Sequence, residues 1–324
     1  MARNRGEWTA ARMPEMDDRV VVVTGANSGL GYEATRAFAR QGAHVVMACR
    51  SEERGEAAKR RIRTEDAGGS ARGSLEVAEL DLADLDSVRA FADEFRAAHD
   101  ELHVLCNNAG VMAIPRRETA EGFEMQFGVN HLGHFALTGH LLDALLNTAG
   151  RTRVVTQSSG VHERGDVDFR DLHHEDSYDE WDAYAQSKLA NVLFAYELQR
   201  RLDDADAEVA SVACHPGYAA TNLQRRGPEM SGSTVRLWAM KAANAVFAQS
   251  AEDGALPMLY AATAPEIDGG EYVGPGGLFG MRGSPEIQRS SEISYDRNRA
   301  ERLWRVSEEL TGVTYDLERS ATAD

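Results

Sequence analysis

Thr24-Gly25-Ala26-Asn27-Ser28-Gly29-Leu30-Gly31 joins a run of valines at residues 19–24 to a helical pattern at residues 32–40. Such a valine run is typical of a strand that is buried on both faces of a parallel sheet. Gly25 permits a tight turn, Gly29 lets the backbone approach a diphosphate, and Gly31 allows the helix to pack closely on the sheet. The first turn of the helix presents N–H groups and a partial positive charge to phosphates. The stretch therefore predicts a strand–turn–helix unit that binds a dinucleotide.

Strand and helix patterns alternate along the rest of the chain. Apolar runs predict strands at residues 43–49, 75–80, 102–106, 153–157, 208–214 and 272–273, and helical patterns occupy residues 52–65, 84–99, 119–146, 251–262 and 296–311. This alternation predicts an α/β fold, a single-domain Rossmann-type doubly wound parallel sheet flanked by helices, over residues 19–324. We expect residues 1–18 to form a flexible N-terminal lead, residues 222–250 a substrate lid, and residues 284–324 a C-terminal extension.

The composition argues against two classes of partner. The net charge of -17 disfavours nucleic acid and anionic membranes, because both would repel the chain. No stretch approaches the roughly 20 apolar residues of a membrane span, and the N-terminal residues lack the apolar core of a signal peptide. We therefore expect a cytoplasmic protein that has no membrane partner.

The cysteines and histidines do not predict a metal site. Cys49, Cys106 and Cys214 each fall in an apolar run, as small buried hydrophobic residues do. Three histidines share the helix predicted at residues 119–146, and no carboxylate or cysteine joins them at ligand spacing. We interpret these three as core or solvent histidines: His131, His134 and His140.

The end of the second predicted strand indicates which dinucleotide is bound. In folds that bind NAD, an acidic residue usually stands there and binds the ribose 2′-hydroxyl. Here the strand ends Cys49-Arg50-Ser51, and Arg50 can pair with a 2′-phosphate instead. The alternative is an arginine on the exposed start of the next helix. We therefore predict NADP (NADPH) as the cofactor, with NAD less favoured.

Polar and small residues also follow the later strands, at the edge where open α/β sheets bind ligands. Asp81 follows the third strand, where it could contact an adenine amine or cap the helix that begins near Asp84. Asn130 is an amide in an otherwise apolar helical stretch, so it is either a structural hydrogen bonder or part of a proton relay. Three further strand ends read Asn107-Asn108-Ala109-Gly110, Ser158-Ser159-Gly160 and His215-Pro216-Gly217-Tyr218-Ala219-Ala220-Thr221.

Tyr184-Ala185-Gln186-Ser187-Lys188 places a phenol and an ammonium four residues apart. On a helix, both side chains leave the same face one turn apart. A phenol alone is a poor acid–base catalyst at neutral pH because its pKa is about 10. A lysine held nearby favours the phenolate and lowers that pKa. The alternative is a chance surface pair, but the nucleotide-binding unit upstream favours an acid–base pair.

Together these motifs resemble those of the short-chain dehydrogenase/reductase family over residues 24–221. The matching elements, in chain order, are TGANSGLG at 24–31, DL at 81–82, NNAG at 107–110, Asn130, SS at 158–159, YAQSK at 184–188 and PGYAAT at 216–221. The details ACR at 48–50, VNHLGHF at 129–135 and SKLAN at 187–191 are similar to the retinol dehydrogenase-like branch. That branch also contains the WW-domain oxidoreductases and proteins described as protochlorophyllide reductase-like.

The resemblance implies a role for each matching residue. Tyr184 would give a proton to the carbonyl oxygen in reduction and take it back in oxidation, and Lys188 would lower its pKa and hold the nicotinamide ribose. Ser159 would bond the substrate oxygen, and Asn130 would hold a water that links Lys188 to solvent. Cofactor contacts are implied at Gly25, Asn27, Ser28, Gly29, Leu30, Gly31, Arg50, Asp81, Leu82, Asn108, Ala109, Gly110, Tyr184, Lys188, Pro216, Gly217 and Thr221.

These expectations describe an NADP(H)-dependent oxidoreductase that transfers hydride between nicotinamide and a small apolar carbonyl or alcohol substrate. Two alternatives stay open: a carbon–carbon double-bond reductase of the protochlorophyllide reductase-like type, and a non-catalytic NADP-binding sensor. The complete set of Ser159, Tyr184 and Lys188 counts against the sensor, which has no need of an acid. The resemblance also implies a homodimer or homotetramer through the helices that carry Asn130 and Tyr184, although the C-terminal extension could favour a monomer.

Overall fold

The computed structural model describes residues 7–66, 72–217, 250–277 and 280–317. Its centre is one eight-stranded sheet in the order β3-β2-β1-β4-β5-β6-β7-β8, in which β1 to β7 are parallel and β8 is antiparallel to β7. The strands are β1 Val20–Thr24, β2 His44–Cys49, β3 Ser74–Glu79, β4 Val104–Asn107, β5 Thr152–Gln157, β6 Val209–Cys214, β7 Tyr272–Pro275 and β8 Pro285–Gln288. The sequence-based prediction of a Rossmann-type doubly wound sheet is confirmed.

Helices cover both faces of this sheet. In the described residues they are α1 Gly29–Arg40, α2 Glu52–Glu65, α3 Leu85–Ala98, α4 Met125–Phe127, α5 Gly133–Asn147, α6 Glu180–Asp204, α7 Ala251–Thr263 and α8 Arg297–Thr311. A π-helical turn, Gly128–Leu132, connects α4 to α5, and short 3-10 helices occupy Ala10–Arg12, Gly160–Arg164 and Glu292–Tyr295. No helix among the described residues is long and apolar enough to cross a membrane.

The valines of β1 show how the core is divided. Val21 and Val23 belong to the apolar cluster under α1, α2 and α7, whereas Val22 belongs to the cluster under α3, α5 and α6. Successive side chains of a strand point to opposite faces, so a strand between two helical layers must be apolar at every position. This requirement explains why uninterrupted valine runs locate the central strands so well.

The structure corrects the helix predicted at residues 119–146, which begins only at Met125. Residues 119–124 form a turn instead, in which the N–H of Thr119 donates to the carbonyl of Phe123 at 2.9 Å. The Glu124 carboxylate then caps α4 by accepting the N–H of Phe127 at 2.7 Å. A buried acidic cap therefore starts the helix later than the apolar pattern indicates.

Two predictions at the chain's ends also need correction. Tyr272–Pro275 is not the last strand, because the short, partly exposed β8 pairs with it. The flexible lead predicted at residues 1–18 does not hold for residues 7–18, in which Met13 and Met16 are buried in the core. Trp8 there packs edge-on against Tyr260, with ring centroids 5.2 Å apart. These contacts depend on partners distant in sequence, so local patterns did not reveal them.

The C-terminal helix α8 lies across α5 and α6. Its Trp304 is 2 % exposed and packs between Phe135 of α5 and Phe194 of α6, with ring centroids at 5.1 and 5.8 Å. The hydroxyl of Tyr315 donates to the carbonyl of Phe135 at 2.7 Å. The described part of the predicted C-terminal extension is therefore packed on the same two helices that carry the candidate site.

Candidate active site

A cleft opens at the carboxyl edge of β1, β2 and β4, where the sequence places its nucleotide-binding residues. Tyr184, Lys188, Pro216 and Gly217 line a second cleft that adjoins the first through Leu30, Asn108 and Gly110. Most predicted cofactor contacts line the first cleft: Gly25, Asn27, Ser28, Gly29, Leu30, Arg50, Asp81, Leu82, Asn108, Ala109 and Gly110. Gly31 lies behind this lining in the first turn of α1, and Thr221 lies outside the described residues.

The glycine turn leaves no room for side chains. Gly25 has φ +68°, and a Cβ there would lie 3.1 Å from the Cβ of Ala109. A Cβ on Gly31 would lie 2.5 Å from the carbonyl oxygen of Gly25. Helix α1 begins at Gly29, so its first N–H groups face the cleft beside this bare backbone. The cradle fits the diphosphate of a dinucleotide, which needs close approach and N–H donors.

Thr24, the first residue of the predicted glycine stretch, joins the turn to the loop after β4. Its hydroxyl accepts the N–H groups of Asn108 and Ala109, both at 2.9 Å, and the Asn108 amide donates to the Thr24 carbonyl at 2.7 Å. The amide nitrogen of Asn108 thus links the loop after β4 to the end of β1. A threonine directly before the first glycine was the available signal for this role.

Two arginines stand at the end of β2. Arg50 and Arg54 both line the first cleft, and neither forms a salt bridge with a carboxylate in the part of the chain that the structure describes. The sequence pattern indicated Arg50 but not Arg54, which follows one helical turn later. Unpaired guanidinium groups at this position can bind a phosphate through paired N–H donors.

Asp81 does not cap the helix that follows it. Asp84 is the N-cap of α3 and accepts the N–H groups of Asp86 and Ser87 at 2.9 and 3.3 Å. Asp81 instead lines the first cleft, with one carboxylate oxygen accepting the N–H of Ala83 at 3.0 Å. Of the two sequence-based interpretations of Asp81, capping is therefore wrong.

Tyr184 and Lys188 lie one turn apart on α6, buried beneath the second cleft. Burial raises the pKa of Tyr184 to about 12, and a hydrogen bond with the Ser159 hydroxyl opposes that shift. Burial lowers the pKa of Lys188 to about 8. The Lys188 ammonium donates to the carbonyl of Gln157 at 3.1 Å and lies 5.8 Å from the centroid of the Tyr184 ring. The lowered Tyr184 pKa expected from the sequence does not appear in this structure, because desolvation by burial is the largest effect on the phenol.

Asn130 sits in the π-helical turn, completely buried. Its oxygen accepts the N–H of Val111 at 2.8 Å, and its nitrogen donates to the Val111 carbonyl and the Ser187 hydroxyl, both at 2.9 Å. The side chain thereby binds the loop after β4 to α6, next to Lys188. These bonds support the structural alternative for Asn130, and its part in a proton relay stays a prediction.

His134, interpreted from sequence as a core or solvent histidine, connects Asn130 to Thr24. Its Nδ1 lies 3.0 Å from the Asn130 carbonyl oxygen, and its Nε2 lies 3.0 Å from the Thr24 hydroxyl. Burial lowers the pKa of His134 to about 4, so the ring is neutral at pH 7. A carbonyl can only accept, so Nδ1 carries the proton and Nε2 accepts from Thr24. The neutral histidine thus fixes two polar groups behind the cleft.

The second cleft exposes three large hydrophobic side chains beside the charged Glu163, Glu286 and Arg289. Trp181, Met281 and Ile287 line it with 41, 36 and 48 % of their surface exposed, which is unusual for large hydrophobic side chains. Tyr184 and Ser159 lie in the same cleft. Tyr218 and residues 222–249 of the predicted lid lie outside the described residues.

Comparison with known proteins agrees with this geometry. The family model described as short chain dehydrogenase matches residues 19–231. The chain is 40 % identical over 310 residues to "Retinol dehydrogenase 14" of Mus musculus, covering 92 % of this chain and 87 % of the mouse protein. It is also similar to the crystal structure of an uncharacterized protein from Mycobacterium paratuberculosis, with 42 % identity, a TM-score of 0.78 and coverage of 96 and 100 %. A structure described as an NAD(P)-dependent gluconate 5-dehydrogenase from Beutenbergia cavernae, with NADP bound at low occupancy, is 28 % identical at a TM-score of 0.60, with coverage of 80 and 95 %.

Proposed function

This chain belongs to the short-chain dehydrogenase family, and from that premise we propose that it is an NADP(H)-dependent oxidoreductase that interconverts an apolar carbonyl compound and its alcohol. The observation that carries the proposal is that Ser159 and Tyr184 line one cleft, which adjoins the glycine-turn cleft. Two hydroxyls that converge on one point can hold a single substrate oxygen between them.

The protein's part in the reaction is to position the substrate and to move one proton. A bound reduced nicotinamide supplies the hydride. Ser159 donates a hydrogen bond to the carbonyl oxygen, and Tyr184 transfers its phenolic proton to that oxygen as negative charge develops there. Tyr184 is protonated at pH 7 because burial raises its pKa to about 12, so the free site is prepared to act as an acid.

Lys188 supports the proton transfer electrostatically. Its pKa of about 8 keeps most of the ammonium protonated at pH 7. A buried positive charge on the same helix stabilises the phenolate that forms when Tyr184 gives up its proton, and in low dielectric this interaction is stronger than in water. The family resemblance implies that the same ammonium also donates to the nicotinamide ribose.

The preference for NADP rests on Arg50 and Arg54. The two guanidinium groups stand at the end of β2, where an NAD-binding fold usually has a carboxylate. A 2′-phosphate would supply the anionic partner that both lack among the described residues. The related structure with bound NADP supports the same assignment.

The exposed hydrophobic side chains of the second cleft support an apolar substrate. Trp181, Met281 and Ile287 expose hydrophobic surface around the entrance to Tyr184. A substrate with a hydrocarbon body would cover that surface while its oxygen reaches Ser159. The mouse relative is called a retinol dehydrogenase, and retinol is an alcohol of this chemical type.

Replacing Tyr184 with Phe tests the mechanism. A panel of apolar aldehydes and ketones is offered as substrates, and the absorbance of NADPH reports its oxidation. Tyr184→Phe should lower kcat by about 100-fold to 10,000-fold because the acid is lost. Binding of NADPH should persist. The matched control is Tyr196→Phe, which removes another buried tyrosine hydroxyl from α6. That hydroxyl forms a 2.8 Å hydrogen bond with the Ser290 hydroxyl. Equal turnover by Tyr184→Phe and wild type would refute the proposal.

A further inference from the structure

His44, Glu76 and His99 form a cluster at the opposite edge of the sheet from the cofactor cleft. His44 begins β2, Glu76 lies on the neighbouring β3, and His99 directly follows α3. The Nε2 atoms of His44 and His99 lie 3.2 and 3.3 Å from the same Glu76 oxygen, Oε2. All three ligand atoms lie within 4.8 Å of one another.

The two His–Glu spacings suit a tetrahedral metal ion. Zinc binds histidine nitrogen and carboxylate oxygen at about 2.0–2.1 Å, so two of its tetrahedral ligands lie about 3.3 Å apart. The two His–Glu distances already have that value. Two histidines and one glutamate leave a fourth position for water, and imidazole with carboxylate is a donor set that suits zinc.

Neighbouring side chains orient both imidazoles toward Glu76. The Nδ1 of His44 lies 2.6 Å from the Ser74 hydroxyl, which leaves its Nε2 directed at the carboxylate. The His99 ring packs on Phe95, with centroids 4.8 Å apart, and its buried Nε2 makes no well-aligned hydrogen bond with any described residue. Second-shell bonds of the Ser74 type commonly fix the orientation of a metal-binding histidine.

We propose that His44, Glu76 and His99 bind one Zn²⁺ ion, which joins β2, β3 and the end of α3. The ion satisfies the buried Nε2 of His99 and holds the edge strand β3 to the sheet. Its position at the amino end of β2 separates it from Arg50 by six residues of extended chain, or about 20 Å. The site is therefore structural and acts independently of hydride transfer.

Metal binding to untagged, full-length protein that has been stripped with a chelator tests the proposal. Titration calorimetry with Zn²⁺ should show one saturable site, and Co²⁺ should give the visible absorption of a four-coordinate ion. Zn²⁺ should also raise the Tm of the wild type, because an ion that binds only the folded state stabilises it.

Variants locate the site. His99→Gln should abolish the saturable binding and the rise in Tm, and Ser74→Ala should weaken binding about tenfold by releasing the His44 ring. Glu76→Gln provides a second ligand deletion of nearly unchanged size if His99→Gln does not fold. The control is His140→Gln, which removes a half-buried histidine of α5 outside the cluster and should bind Zn²⁺ like the wild type. Absence of saturable binding, or wild-type binding by both ligand variants, would overturn the proposal.

Discussion

The hydroxyl of Ser158 donates a 2.8 Å hydrogen bond to the backbone carbonyl of Lys188, and this bond joins the end of β5 to the helix that carries Tyr184. Both serines line the second cleft, but Ser158 is 2 % exposed and its hydroxyl is bonded to Lys188, whereas Ser159 is more exposed and lies in the same cleft as Tyr184. Adjacent serines at the end of an extended strand point in opposite directions. One therefore holds the helix in place, and the other is available to a substrate.

This division predicts different effects of two alanine substitutions. Ser159→Ala should lower kcat about 100-fold, as the loss of one donor to a developing oxyanion does, with little change in Tm. Ser158→Ala should lower the free energy of unfolding by about 1 kcal/mol and leave most of kcat. Steady-state kinetics and thermal unfolding of both variants check this. A larger loss of kcat in Ser158→Ala than in Ser159→Ala would contradict the assignment.

The cofactor preference should depend on both arginines at the end of β2. Arg50→Ala and Arg54→Ala should each weaken NADPH binding about tenfold to 100-fold, because a charge-assisted bond to phosphate contributes about 1.5–3 kcal/mol. NADH binding should change little. Quenching of tryptophan fluorescence during titration with each cofactor gives both affinities.

The matched control for the arginines is Arg63→Ala. Arg63 is an exposed arginine in the last turn of α2, away from the cleft lining, so its removal changes the net charge without touching the phosphate position. Its NADPH affinity should equal that of the wild type. If NADPH and NADH bind the wild type equally well, the preference for NADP must be given up.

Lys188 should destabilise the folded protein at neutral pH. Burial lowers its pKa from 10.5 to about 8, so at pH 7 the native state holds a charge that it disfavours. Lys188→Met should therefore raise the free energy of unfolding at pH 7, by up to about 3 kcal/mol at about 1.4 kcal/mol per pKa unit. The Gln157 carbonyl keeps a partner in this variant, because Asn191 also donates to it at 2.9 Å.

The pH dependence of that gain has a definite sign. As pH rises from about 8 to 10.5, native Lys188 loses its proton before unfolded Lys188 does, so wild-type stability rises across this interval. The advantage of Lys188→Met should be largest below pH 8 and shrink above it. Denaturant unfolding at pH 7 and pH 10 measures this, with Lys59→Met as control, because Lys59 is paired with Glu56 at 2.9 Å and is less buried than Lys188. An advantage that grew with pH would contradict the burial of the charge.

The protein should be a monomer. Family resemblance implies association through the helices that carry Asn130 and Tyr184, but α8 covers α5 and α6 with Trp304 buried between Phe135 and Phe194. A second copy cannot pack on surface that is already covered. Sedimentation equilibrium over a range of concentrations should give the mass of one chain, and a concentration-independent dimer would show that another surface is used.

Much of the fold could be predicted because its signals are local. The valine run of β1 and the glycine turn after it fixed a strand, a turn and a helix within a few residues of their observed bounds. Strand β8 could not be predicted in this way, because its residues are partly exposed and its backbone pairs with β7. The π-helical turn at Asn130 was missed for a similar reason, since its amide is held by Val111 and Ser187 from other segments.

The sequence by itself determined which polar residues follow the strands. Parallel strands bring their carboxyl ends to one edge of the sheet, so the order of residues along the chain was enough to predict which of them line the cleft. The tertiary structure decided what each of them contacts. It bonded the Ser158 hydroxyl to the Lys188 carbonyl and left Ser159 in the same cleft as Tyr184, and burial raised the pKa of that tyrosine to about 12. It also brought the rings of His44 and His99 into contact, although the two residues are 55 positions apart in the sequence. Desolvation and contacts between distant segments depend on how the whole molecule packs, so they cannot be predicted from a local sequence pattern.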